Sequence, residues 1–200
     1  MNGIRALLLV IAVLLSGQSA SAAGCKYQEN ETDKFTKVVT RWTKWNALTS
    51  TWHFSKTHHV PYVSVYSVDD DDQLLLKIET FIQEKYLPDE IYLEEYLVVS
   101  KGAPLLIMMK DETILELPAL NDVRAATHMA EDMGSGDDPV TMYRTTGTAV
   151  INYPLDDATK KALAEQPVST IRVTTDNSNF DFEIHEKSVN DIAAAVECSP

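Results

Sequence analysis

The first 24 residues constrain everything that follows them. A positive charge at Arg5 precedes the apolar run of residues 6–15, and small residues then predominate through Gly24. This is the order of a secretory signal, and Ala20-Ser21-Ala22 supplies an A-x-A cleavage site. Residues 1–22 are therefore read as a signal peptide and set apart from the fold, and residues 23–200 as one globular domain. The expected compartment is extracytoplasmic, periplasmic or secreted, where disulfides form and persist.

The apolar run is too short to cross a bilayer, which takes about 20 residues, and no later stretch approaches that length, so the mature chain is expected to have no transmembrane segment. The chain holds two cysteines, Cys25 near the start of the mature chain and Cys198 near the end. In an oxidising compartment two cysteines are expected to pair, here into a bridge between the terminal segments. A lesser alternative starts from Ala22-Ala23-Gly24-Cys25, which looks like the lipobox of bacterial lipoproteins, with Ala22 where that pattern prefers Leu. Lipid anchoring through Cys25 would leave Cys198 without a mate.

Hydrophobic period sets the expected elements. Residues 35–45, 51–55, 62–68, 74–80, 92–100, 105–110 and 113–117 read as strands, being rich in β-branched and aromatic side chains. Lys110-Asp111-Glu112 reads as a hairpin turn, and Gly102 with Pro104 as a break. Val123, Ala126, Met129 and Ala130 fall at helical spacing behind Asn121, which predicts a helix over residues 121–133, ended by the loop of residues 134–139. Residues 142–153, 168–175 and 180–185 read as strands. Residues 155–166 and 188–197 read as helices, the second capped by Ser188. The fold class expected is α+β, a mainly antiparallel sheet of several short strands with two or three helices in the C-terminal half, closed by an N-to-C-terminal disulfide.

Charge is unevenly spread. Residues 34–68 carry five bases (Lys34, Lys37, Arg41, Lys44, Lys56) and no acid, although the whole chain has a net charge of −13. The same stretch holds Trp42, Trp45, Trp52, Tyr62 and Tyr66. Interleaved bases and aromatics suit a surface for a polyanion, a carbohydrate or an acidic partner, and the partner expected is a protein or a carbohydrate. The structural alternative is that the tryptophans fill a core and the charges pair across the sheet. The acidic balance argues against a nucleic-acid partner.

Catalytic and metal signals are weak. His53, His58 and His59 lie near the acidic run of residues 69–72, but no zinc-type spacing is present, and adjacent His58 and His59 would face opposite sides of a strand. Asp69, Asp70, Asp71 and Asp72 read as a solvated turn, and the two histidines as exposed residues before Pro61. No metal and no cofactor is expected. Gly134-Ser135-Gly136 is not a nucleophile elbow, and no C-x-x-C or phosphate loop occurs. The leading expectation is thus an exported, acidic binding or interaction protein of the cell envelope or exterior, with Trp42, Trp45, Trp52, Tyr62 and Tyr66 at its ligand surface, and not an enzyme. The alternative is an exported hydrolase using His58 or His59 with an acid from the Asp69–Asp72 run.

Overall fold

The computed structural model describes residues 24–50, 57–69, 71–84, 97–132 and 143–199. Its strands are β1 (Tyr27–Thr32), β2 (Val39–Thr43), β3 (Asn46–Ala47), β4 (Thr57–Val68), β5 (Asp71–Glu84), β6 (Val98–Val99), β7 (Pro104–Met109), β8 (Ile114–Pro118), β9 (Val123–Arg124), β10 (Ala126–Asp132), β11 (Tyr143–Pro154), β12 (Val168–Thr174) and β13 (Asn179–Glu183). The helices are α1 (Asp157–Glu165) and α2 (Asp191–Glu197). A seven-stranded sheet runs β1-β2-β4-β5-β11-β10 with β3 beside β4, a four-stranded sheet runs β13-β12-β7-β8, and β6 pairs with β9. Every one of these pairings is antiparallel.

The long β4–β5 hairpin organises the larger sheet, with pairing unbroken from Thr57↔Ile82 to Val68↔Asp71. Its period-two pattern sends Val63, Val65, Leu74, Leu76 and Ile78 into the core, where they meet Leu105, Ile107, Ile171 and Val173 of the smaller sheet. Leu163 of α1 and Ile192 and Val196 of α2 complete that core. Each such side chain contributes about 1.5–3 kcal/mol when fully buried, so the apolar face fixes the register. Cys25 and Cys198 are joined, with Cα atoms 5.6 Å apart and 173 residues between them in sequence. The Cys25 sulfur is thereby engaged, and it is not available as a lipid attachment point while the bridge is intact.

Three expectations are corrected. The helix expected over residues 121–133 is not formed in its described part, because Val123–Arg124 and Ala126–Asp132 are strands. There Val123, Ala125 and Thr127 turn inward while Arg124 and Ala126 are exposed. This alternation, with the β10–β11 ladder, overrides helical spacing carried by small apolar residues. Helix content is accordingly low, and the α+β description holds only coarsely, for a mostly antiparallel protein with two helices. Ser188 does not cap α2. It ends a 3-10 turn over Glu186–Ser188, and its hydroxyl donates to the Ala47 carbonyl at 2.8 Å. The expected strand over residues 35–45 begins only at Val39, because Asp33 accepts from the backbone N–H groups of Phe35 and Thr36 and Lys37 adopts a φ of 66°.

The acidic run is a turn only in part. Asp69 is exposed with a φ of 49°, and Asp71 is exposed. Asp72 is buried, accepting from the Lys160 ammonium of α1 at 2.7 Å, and its backbone carbonyl accepts from Leu155 N–H at 3.0 Å. Asp156 caps α1 by accepting from Thr159 N–H at 2.8 Å. A carboxylate expected in solvent therefore anchors a helix to the hairpin. The segments 51–55, 92–96 and 134–139, read as strand or loop, lie outside the described residues, as do residues 1–22, read as a signal peptide.

Candidate functional site

Strand parity builds the first candidate surface. On β4 the core takes Val63 and Val65, so Tyr62 and Tyr66 stand on the opposite side of the sheet. Trp42 on β2 lies directly across from Tyr66, and Lys77 on β5 directly across from Tyr62, so both share that outer face. The rings of Trp42 and Tyr66 meet edge to face, 6.1 Å apart at 83°, and those of Trp42 and Trp45 at 6.1 Å and 78°. Lys77 Nζ sits 4.2 Å from the Tyr62 ring centroid and 5.2 Å from that of Trp45. The ammonium also pairs with Glu79 at 2.7 Å. The aromatic residues are half-buried, each leaning on its neighbours. The indole Nε1 of Trp42 is covered and meets no hydrogen-bond partner among the described residues.

This cluster has its own electrostatics. Burial pushes the Tyr62 hydroxyl up to about 12, helped by the negative charge of Glu79 and a hydrogen bond to it. The phenol therefore stays protonated at ordinary pH. The Lys77 ammonium lies over the electron-rich faces of two rings with a carboxylate beside it, an arrangement worth about 0.5–2 kcal/mol per cation–ring contact. Of the aromatic residues expected at a ligand surface, Trp42, Trp45, Tyr62 and Tyr66 converge here. Trp52 lies outside the described residues, as does His53.

The second candidate lies where β4 meets β13. A groove of about 630 Å³ is lined by His58, His59, Phe180, Phe182, Glu183 and His185, among others. His59 and His58 do face opposite sides of β4. His59 Nδ1 lies 2.8 Å from the Thr80 hydroxyl, and its ring meets Phe180 edge-on at 4.7 Å. His58 stacks on Phe81 at 4.8 Å. Neither is the exposed residue expected, since both are half-buried. Burial lowers the His59 pKa, with the nearby His58 charge adding to the shift.

The acids intended for a hydrolase are elsewhere. Asp71 and Asp72 pair with Val68 and Ser67 at the turn end of the hairpin, whereas His59 pairs with Thr80 near the other end. Nine residues of strand separate His59 from Val68, roughly 30 Å at the ordinary rise per residue. The histidines instead have Asp181, Glu183 and Glu186 on their groove, residues that sequence reasoning did not single out. The alternation Phe180, Phe182, Ile184 was the available signal, since it predicts a strand with one apolar face. Among the described residues no group of three or more His, Cys, Asp or Glu side chains is placed to hold a metal ion. No family model, no curated protein and no solved structure matches this chain.

Proposed function

We propose that this is an exported binding protein whose recognition surface is the outer face of the seven-stranded sheet, with Trp42, Trp45, Tyr62 and Tyr66 as anchors. One observation carries the reading: these side chains gather on the face turned away from the core, where they add nothing to the packing between the sheets. Tryptophan and tyrosine are the residues that most often dominate binding energy at protein interfaces. Trp42 stands nearly perpendicular to both Trp45 and Tyr66, an edge-to-face packing that suits an irregular protein surface better than a stacked sugar chain. The disulfide and the absence of any helix long and apolar enough to cross a membrane, among the described residues, are compatible with an extracytoplasmic site of action.

The test compares the wild-type chain with the Trp45→Ala/Tyr66→Ala variant, both carrying the intact disulfide and the same far-UV circular dichroism. Each is offered the extracellular fraction of the source cells, and a glycan array is probed in parallel. A retained protein is then purified and titrated, and the variant is expected to bind at least about tenfold more weakly, the loss of a single hot spot. Equal affinity of the two forms would remove the aromatic face from the reading. Selective retention by a glycan would turn the proposal to carbohydrate.

A further inference from the structure

We propose that the edge of β13 that no described strand pairs accepts an extended, basic segment of a partner protein as an additional antiparallel strand. β13 is the terminal strand of the four-stranded sheet, paired on one side with β12. The ladder fixes which backbone groups are already used. Ile184 N–H donates to the Ser169 carbonyl and Thr175 N–H to the Ser178 carbonyl, so the hydrogen-bonded positions of the hairpin include Phe180 and Phe182. The N–H and C=O groups of Asp181 and Glu183 consequently point away from β12, toward the groove. Two residues beyond the strand this edge already accepts a chain segment, because His185 N–H donates to the Leu48 carbonyl at 3.0 Å. An added strand would extend that line of bonds.

Side chains specify the occupant. Phe180 and Phe182 turn toward the core side, where Phe182 is buried, whereas Asp181 and Glu183 are exposed on the other face. Asp181 is held by Arg172 through two bonds of 2.6 Å, but Glu183 and Glu186 form no ion pair among the described residues. No lysine or arginine appears among the described residues that line the groove. A strand laid antiparallel on this edge would set the side chains opposite Asp181 and Glu183 on the acidic face, and the alternate ones against the apolar groove wall. Alternating basic and apolar residues satisfy both. A second copy of the chain fits poorly, since pairing β13 with itself would set Asp181 and Glu183 against their own like charges.

The probe is an acetylated, amidated, dye-labelled octapeptide of alternating lysine and valine, titrated into the mature disulfide-bonded protein by fluorescence anisotropy. In an antiparallel pair the residues directly opposite Asp181 and Glu183 present both their side chains to the acidic face and their backbone N–H groups to the edge. N-methylation of the lysines should therefore abolish binding, whereas N-methylation of the valines should leave it within about twofold. A glutamate–valine peptide should bind at least about tenfold more weakly, and raising salt should weaken the lysine peptide. Glu183→Lys, a surface change, should cost the lysine peptide at least about fivefold. The proposal is overturned if both N-methylated peptides bind alike, if the lysine peptide shows no binding at millimolar concentration, or if sedimentation shows the edge closed in a dimer. In the first two cases the acids serve only to keep the edge from aggregating.

Discussion

The outer face of the seven-stranded sheet and the edge of the four-stranded sheet offer opposite kinds of surface. The face presents side chains, with rings of Trp42, Trp45, Tyr62 and Tyr66 over a ladder whose backbone groups are already paired. The β13 edge presents backbone, because Asp181 and Glu183 are committed to β12 on neither their N–H nor their C=O groups. Side-chain surfaces discriminate by ring shape and charge, whereas an edge supplies affinity that depends little on sequence and relies on neighbouring charges for selectivity. His59 joins the two regions, since it belongs to the strand that bears Tyr62 and Tyr66, and its ring rests against Phe180 of β13.

The strongest way to break this contrast is through the disulfide. It ties the segment leading into β1, which flanks the Trp42 strand, to the end of α2, which follows β13 through the 3-10 turn. Loop entropy for so long a loop gives up to about 5 kcal/mol. Reduction, or Cys25→Ser with Cys198→Ser, is expected to lower the urea midpoint by a corresponding amount. Tryptophan fluorescence reports on the aromatic face and far-UV circular dichroism on all strands. Coincident transitions would show that face and edge unfold as one unit, and separate transitions would make them independent bodies.

A smaller effect distinguishes the two ion pairs of α1, one reaching a buried acid of the hairpin and one exposed. Lys160→Met leaves the buried Asp72 carboxylate without its cation, for which about 3 kcal/mol of destabilisation is expected. The exposed Lys161–Glu165 pair of the same helix, 3.9 Å apart, gives the contrast, since Lys161→Met should cost under about 0.5 kcal/mol. Chemical denaturation of both variants measures the difference. If they match, Asp72 is not the anchor its burial implies.

The smallest effect, and the sharpest for the junction, is pH dependence. Folding lowers the His59 pKa below its ordinary value of 6.5, so the unfolded chain binds more protons than the folded one in the window between the two values. Stability from this site is therefore fully present above about pH 6.5 and lost as pH falls from there toward the folded pKa. His59→Gln, which removes the titration, should flatten the difference in urea midpoint between pH 5 and pH 7.5 relative to wild type. An unchanged slope would place the titrating group elsewhere. His185→Gln serves as the control at the mouth of the same groove.

Much of the strand pattern was legible because period two is local. Residues 62–68, 74–80, 105–110 and 168–175 each alternate or carry β-branched side chains, and each lies largely within an observed strand. The helix expected over residues 121–133 failed because alanine and methionine at helical spacing specify little without a partner, and the β11 ladder supplied one. The same limit explains Asp72. Four consecutive acids read as solvent-facing until a lysine 88 residues away is brought against one of them. The aromatic residues were recognisable as a group, but their common face depended on the registers Trp42↔Tyr66 and Tyr62↔Lys77. The histidine groove went unread because its other wall, β13, lies more than a hundred residues along the chain.

What the sequence determined by itself were the local terms: most of the strand-forming segments, the two C-terminal helices and the even number of cysteines that could pair. Backbone propensity and side-chain period act over a few residues, so a single segment suffices to express them. Tertiary structure alone decided which face of each strand is covered, which acid is buried and which strand is left at an edge. Those outcomes depend on pairings between residues far apart in the chain, whose closure entropy is recovered only when the whole sheet and its core form together.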